Sequence, residues 1–127
     1  MAAVRYLVRD VALAIIFYGE QLGFELVQQF GPAMAIVRRG DLSLWLAGPT
    51  ASAARPMPDG RRPEPGGWNR IVVETTDLDT LVATLRAGGA PFRNEIIVGP
   101  GGRQVLVEDP SGNVIELFEP GSRPSDQ

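Results

Sequence analysis

The chain of 127 residues contains no cysteine and no histidine. The absence of cysteine excludes disulfide bonds, thiol catalysis and thiolate metal sites, and it agrees with a cytoplasmic location. The absence of histidine removes the commonest general base and the commonest metal ligand. A metal ion would therefore have to be bound by oxygen ligands alone, which favours magnesium or calcium over zinc or iron.

Long basic runs and long apolar runs are also missing. The net charge is −3 and no run of basic residues exceeds two, so nothing indicates a nucleic-acid-binding surface. The longest apolar run, residues 11–18, is too short to cross a bilayer, and the N-terminus lacks the pattern of a secretory signal. We expect a cytoplasmic protein with neither nucleic-acid nor membrane partners.

The hydrophobic pattern is that of one globular domain built from a repeat. In the first half an apolar strand ends at Asp10, a plausible N-cap, and a helix follows that Gly23 closes. One face of this helix is apolar, with residues spaced by four, three and four positions: Val11, Ile15, Tyr18 and Leu22.

The second half repeats this order. A strand over 68–74 leads to Asp77, and Gly88–Gly89 closes the next helix. The apolar face of that helix consists of Leu78, Leu81, Val82 and Leu85.

Three short strand-like segments follow each helix. They lie at 24–30, 33–38 and 42–47 in the first half, and at 92–98, 103–108 and 114–119 in the second. The sequence thus predicts an α+β fold of two tandem βαβββ modules. The predicted boundaries are module 1–49, linker 50–67, module 68–120 and a frayed tail 121–127.

Two segments, "DVALAIIFYGEQLGFEL" and "LVEDPSGNVIELFEP", carry a resemblance that covers nearly the whole chain. They resemble the glyoxalase/bleomycin-resistance/extradiol-dioxygenase superfamily, also called vicinal oxygen chelate proteins. The resemblance implies curved sheets that enclose a cleft, helices on the outside and, commonly, a homodimer. It leaves the chemistry open, because the superfamily contains both enzymes and binding proteins.

The resemblance also implies where a metal site would lie. Metal-dependent members supply two ligands from each module, and the matching positions here are Ala3, Trp45, Arg70 and Glu116. Only Glu116 can coordinate a cation, since a guanidinium has no acceptor. We therefore predict that Arg70 forms an ion pair with Glu116 in place of a metal, and we expect no metal or other cofactor.

Strand alternation predicts which side chains face the cleft. On this basis the ligand-binding residues are Ser43, Trp45, Trp68, Arg70, Val72, Glu116 and Phe118. Three further walls are possible, although a large apolar side chain in a strand is more often core: Phe30, Met34 and Phe92. Other arginines, including Arg5 and Arg93, are interpreted as solvated strand-edge charges.

The best-supported hypothesis is metal-free binding and sequestration of a bulky aromatic small molecule such as an antibiotic, without catalysis. The alternative is a lyase, isomerase or dioxygenase-like enzyme in which Glu116 acts as base and Arg70 stabilises an oxyanion. An ion-paired carboxylate is a poorer base, which counts against this alternative. A regulatory domain that merely retains the fold is a third possibility.

Overall fold

The computed structural model describes residues 2–121, which form two compact units. The first unit extends to Gly67 and includes Asp109–Asn113; the second comprises Trp68–Glu108 and the residues from Val114 onward. Each unit contains one four-stranded sheet and one α-helix, so the predicted α+β fold of two βαβββ-like modules is confirmed. No helix in the described part of the chain is long and apolar enough to span a membrane.

The first unit has the strand order β1-β4-β3-β2, with β1 parallel to β4 and the other neighbours antiparallel. Its elements are β1 (Ala2–Leu7), α1 (Val11–Ile16), a π-helical turn (Phe17–Gln21), β2 (Glu25–Phe30), β3 (Met34–Arg39) and β4 (Leu42–Ala47). A short 3-10 helix, Ser52–Ala54, lies within the predicted linker.

The first helical segment begins and ends as its sequence predicts. The Asp10 side chain accepts a hydrogen bond from the Leu13 amide at 3.0 Å, and Gly23 has a φ of +73° just beyond the helix. The π-helical turn was not predicted. In this wider turn the consecutive residues Phe17 and Tyr18 are both buried, with their rings edge to face at 5.2 Å.

The Tyr18 hydroxyl belongs to a buried polar cluster in the first unit, with the Asp109 carboxylate at its centre. It donates a hydrogen bond of 2.8 Å to Asp109, which also accepts from the backbone amides of Ser111 and Asn113. Burial, and then the adjacent Asp109 charge, raise the pKa of the Tyr18 phenol far above its ordinary value. The tyrosine therefore stays neutral and acts as a structural donor.

The second unit has the equivalent strand order, β5-β8-β7-β6. Its elements are β5 (Ile71–Glu74), α2 (Leu78–Ala87), β6 (Ile97–Gly99), β7 (Gly102–Glu108) and β8 (Val114–Pro120). Asp77 caps α2 by accepting from the Thr80 amide at 3.1 Å, and Gly88 ends the helix, as predicted.

Each sheet packs one face against its own helix. In the second unit the covered face is apolar and almost fully buried, and consists of Ile71, Val73, Val105, Val107, Ile115 and Leu117. The helix supplies Leu78, Val82 and Leu85 to this core. In the first unit the covered face includes Ala35, Val37, Leu44 and Leu46. The opposite side of each sheet is its helix-free face.

Two predicted strands are shorter in the structure. The strand predicted over 68–74 begins only at Ile71. The strand predicted over 92–98 is reduced to an isolated bridge between Phe92 and Val107 and to the three residues of β6. The Asn94 side chain accepts the Leu106 amide hydrogen at 2.9 Å, and this bond replaces a backbone partner. Of the predicted tail, residues 122–127 lie outside the described part of the chain.

Candidate functional site

An ion pair lies at the start of the helix-free face of the second sheet. Arg70 donates from Nε and Nη2 to the same Glu116 oxygen, at 3.2 and 3.0 Å. The Glu116 side chain is only 12% exposed and that of Arg70 is 31% exposed. The predicted pair between Arg70 and Glu116 is therefore confirmed, and a partly buried carboxylate has its charge compensated.

Trp68 lies next to this pair and is the most exposed aromatic residue of the second unit, at 67%. Its backbone carbonyl accepts from Arg70 Nη1 at 3.4 Å. The Arg93 guanidinium lies 4.4 Å from the centre of the indole ring, and Arg93 Nε forms an ion pair of 2.8 Å with Glu108. The indole is thus supported by a cation while much of its surface remains accessible.

The strand register aligns the remaining predicted residues of this face. Glu116 lies between Val72 of β5 and Leu106 of β7, and Phe118 lies between Glu74 and Gln104. Cross-strand partners project to the same side of a sheet. The structure therefore brings Val72, Glu116 and Phe118 to one face, where Val72 is half exposed and Phe118 partly exposed.

The helix-free face of the first sheet carries the other tryptophan. Trp45 lies between Arg5 of β1 and Ile36 of β3, and Ser43 lies between Ala3 and Arg38. The remaining predicted residues of this unit, Met34 and Phe30, are cross-strand partners on the same side. Phe30 is 48% exposed and Trp45 is half-buried, whereas Ser43 is only 5% exposed and offers little surface to a ligand.

Phe92 is not brought to the helix-free face of the second sheet. It bridges to Val107, which belongs to the face covered by α2, and the guanidinium of Arg86 from that helix lies 4.9 Å from the ring centre. Phe92 therefore packs on the helix side of its sheet. The prediction of Phe92 as a cleft wall assumed a continuous strand over 92–98. The strand is interrupted here, and regular β structure begins only at Ile97.

Two arginines that contact the tryptophan rings are absent from the set of site residues predicted from the sequence. The Arg5 guanidinium lies 5.0 Å from the centre of the Trp45 ring, and the Arg93 guanidinium lies 4.4 Å from the centre of the Trp68 ring. Both were interpreted as solvated strand-edge charges; Arg5 is indeed exposed on the edge strand β1, but each guanidinium also lies over an indole ring. A signal existed for Arg5, because it is two residues after Ala3 and alternation puts both on the same side of β1. Arg93 lies in an irregular segment, where alternation gives no guidance.

The residues present do not fit the metal site that the resemblance implies. In the second unit the two corresponding positions, Arg70 and Glu116, are bonded to each other. In the first unit the positions carry the methyl group of Ala3 and the indole of Trp45, neither of which is a metal ligand. Within residues 2–121 no three acidic side chains come together as a cation site.

Comparison with known proteins establishes the family. The model of the Glyoxalase/Bleomycin resistance protein/Dioxygenase superfamily matches residues 1–117, and the chain belongs to this superfamily. A comparison with curated proteins gave no match.

Three solved structures illustrate the range of similar proteins. A superfamily member from Sphaerobacter thermophilus DSM 20745 is 30% identical, with a TM-score of 0.73 over 94% of this chain and 95% of that one. TnmS3, an antibiotic binding protein from Streptomyces sp. CB03234, is 30% identical, with a TM-score of 0.70 over 94% and 93%. Lactoylglutathione lyase from Agrobacterium tumefaciens is 22% identical, with a TM-score of 0.73 over 94% and 92%. The last similarity shows the shared fold alone.

Proposed function

We propose that this protein binds and sequesters a bulky aromatic small molecule, such as an antibiotic, without a metal ion. The observation that carries the proposal is the ion pair between Arg70 and Glu116, which uses two of the four positions where metal-dependent relatives hold ligands. Sequestration needs affinity and no chemistry, so a chain without histidine or cysteine loses nothing in this role.

The accessible aromatic surface supports the same proposal. Trp68 is two-thirds exposed next to Arg70, and Trp45 offers a second indole in the other unit. Burial of apolar surface contributes about 25 cal/mol per Å². Covering the exposed two-thirds of the Trp68 indole, roughly 100–170 Å², would thus contribute about 3–4 kcal/mol. Micromolar affinity requires about 8 kcal/mol, so burial of the ligand's own rings and a second aromatic or polar contact have to supply the rest and offset the cost of ordering the ligand.

Similarity to an antibiotic binding protein favours binding over turnover. TnmS3 is 30% identical to this chain over nearly its full length. An enzymatic role would use Glu116 as a base, and the adjacent Arg70 guanidinium as an oxyanion donor is the one feature that favours it. A general base needs one oxygen within reach of the substrate proton, and the two bonds from Arg70 to one Glu116 oxygen leave only the other oxygen for this role. We therefore place catalysis second.

We further propose that the protein acts in the cytoplasm as a homodimer. The superfamily resemblance suggests the dimer, and β2 supports it because it is an edge strand exposed at all six residues. Its apolar side chains Leu26, Val27 and Phe30 are each almost half exposed. Light scattering coupled to size exclusion would test this, with a mass of one chain, 13.7 kDa, as the contrary result.

The proposed binding is tested by calorimetric titration of the purified protein with a panel of planar aromatic antibiotics. At least one compound should bind at micromolar concentration and be recovered chemically unchanged. Trp45→Ala and Trp68→Ala should each weaken binding, while Leu13→Ala should not, because the exposed Leu13 lies on α1. Conversion of the compound to a product would instead support the enzymatic alternative.

A further inference from the structure

The two tryptophans lie beside guanidinium groups that differ in their charge balance. Arg93, which covers Trp68, is already neutralised by Glu108 at 2.8 Å, and the neighbouring Arg70 by Glu116 at 3.0 Å. Arg5, which covers Trp45 at 5.0 Å, takes part in no ion pair with any residue of the described range 2–121. The cation beside Trp45 therefore keeps an uncompensated charge.

The position of Arg5 leaves its donors available to a ligand. It lies on β1, an edge strand of the first sheet, directly opposite Trp45 in the parallel register, and the residue is exposed. A guanidinium carries five N–H donors in one plane and matches the two oxygens of a carboxylate. Contact with the indole restrains the plane of the group, so less conformational freedom is lost when a ligand binds.

The surroundings of Trp45 add to the positive charge. Arg38 is the cross-strand partner of Ser43, two residues before Trp45, and it likewise forms no ion pair among residues 2–121. The acidic residue aligned with Arg38 is Glu25 at the start of β2, on the far side from Arg5. The chain carries a net charge of −3, so this face is positive in a protein that is otherwise acidic.

We infer that the ligand of the first helix-free face is an aromatic anion, a planar ring system that carries a carboxylate or an ionised phenol. This inference rests on the proposed aromatic binding and specifies its ligand class. The ring stacks against the Trp45 indole and the acidic group accepts hydrogen bonds from Arg5. The paired arginines of the second unit offer no such free charge, so Arg5 determines the preference for an anion.

A matched pair of ligands tests this inference directly. Anthracene-2-carboxylate and its uncharged carboxamide have the same ring and differ by one charge. Hydrogen bonds to a charged group are typically strong enough to change affinity about tenfold or more. Calorimetric titration of the unaltered protein should show the carboxylate bound about tenfold more tightly than the carboxamide.

Three variants assign that difference to Arg5. Arg5→Gln should lose the preference and still bind the carboxamide, which also shows that the variant is folded. Arg5→Lys keeps the charge without the planar fork and should retain part of the preference. Arg61→Gln removes an exposed arginine that pairs with Asp59 and should leave the preference unchanged.

The possible failures are distinguishable. If both ligands bind the unaltered protein equally and Arg5→Gln changes neither affinity, aromatic binding stands and the inferred preference for an anion is overturned. If neither ligand binds, the proposed aromatic binding and the inference that rests on it both fail.

Discussion

Arg70 and Glu116 are joined by two hydrogen bonds that end on one carboxylate oxygen, at 3.2 and 3.0 Å. The two residues are 46 positions apart in the sequence, and the pairing of β5 with β8 brings Glu116 opposite Val72, two residues after Arg70. A fixed positive charge thus lies where metal-dependent relatives place a ligand. In this chain the two positions of the second unit form an ion pair and no metal site, and the proposed metal-free binding rests on this difference.

The first prediction concerns the contribution of this pair to stability. Arg70→Met leaves the Glu116 carboxylate partly buried without its partner, and should lower the free energy of unfolding by about 1–3 kcal/mol. The double variant Arg70→Met, Glu116→Gln should be less destabilised than the sum of its single variants, because no unpaired charge remains. Urea denaturation gives the free energy of unfolding of the parent, the two single variants and the double variant. An Arg70→Met protein as stable as the parent would contradict the assigned coupling.

A second prediction concerns metal ions. The Glu116 carboxylate is already paired with Arg70, and neither Ala3 nor Trp45 can coordinate a metal ion. Added magnesium, manganese, nickel or zinc should therefore not raise the melting temperature of the protein. Pretreatment with a chelator should leave ligand affinity unchanged. A clear stabilisation by one of these ions that chelation reverses would show that a metal site exists after all.

A third prediction concerns Glu119 of β8, whose side chain lies at the N-terminus of α2. Its side chain accepts the Leu78 amide hydrogen at 3.0 Å and pairs with Arg103 at 2.7 Å, and these bonds, in that order, lower the pKa of the carboxyl. Such a group stabilises the fold above its unfolded pKa, about 4.3, and that stabilisation is lost as pH falls through the lower folded value.

Glu119→Gln should therefore be less stable than the parent at pH 7 and lose less stability on acidification to pH 3. Thermal unfolding followed across this pH range tests the prediction. The exposed Glu64, changed to Gln, is the matched control and should keep the parental pH profile. Identical acid profiles for Glu119→Gln and the parent would refute the assigned linkage.

A fourth prediction concerns the buried cluster around Asp109. Tyr18→Phe removes the 2.8 Å hydrogen bond to this carboxylate while the ring still fills its site, and should lower the free energy of unfolding by about 1–3 kcal/mol. Asp109→Asn should cost more, because an amide nitrogen would replace Oδ2, which accepts from both the Tyr18 hydroxyl and the Asn113 side chain. Denaturant unfolding gives both values. A Tyr18→Phe variant with the same free energy of unfolding as the parent would mean that this bond adds nothing to stability.

Much of the fold was readable from local sequence because the signals are local. Asp10 and Asp77 precede apolar helical faces, and each accepts the capping bond that its position suggests. The alternation of Ile71 to Glu74 correctly predicted which side chains are buried. The pair between Arg70 and Glu116 was also predicted, but only by way of the superfamily resemblance, since nothing local links residues 46 positions apart.

The features that were missed depend on tertiary contacts or on departures from regular geometry. The π-helical turn at Phe17–Gln21 has the same apolar pattern as an α-helix. Phe92 lies in a segment where the Asn94 side chain replaces a backbone partner, so strand alternation fails there. The contact of Arg5 with Trp45 depends on the parallel register of β1 and β4; alternation from Ala3 indicates the face of Arg5 but not this register.

The most direct test of the central claim is a tryptophan-fluorescence titration with two single-tryptophan variants, Trp45→Phe and Trp68→Phe. Each is titrated with the panel of planar aromatic antibiotics, and the compound is then recovered for mass spectrometry. The remaining tryptophan of each variant should show saturable quenching at micromolar concentration, and the compound should be recovered unchanged. Absence of saturable quenching in both variants across the panel, or recovery of a chemically altered compound, would contradict metal-free sequestration.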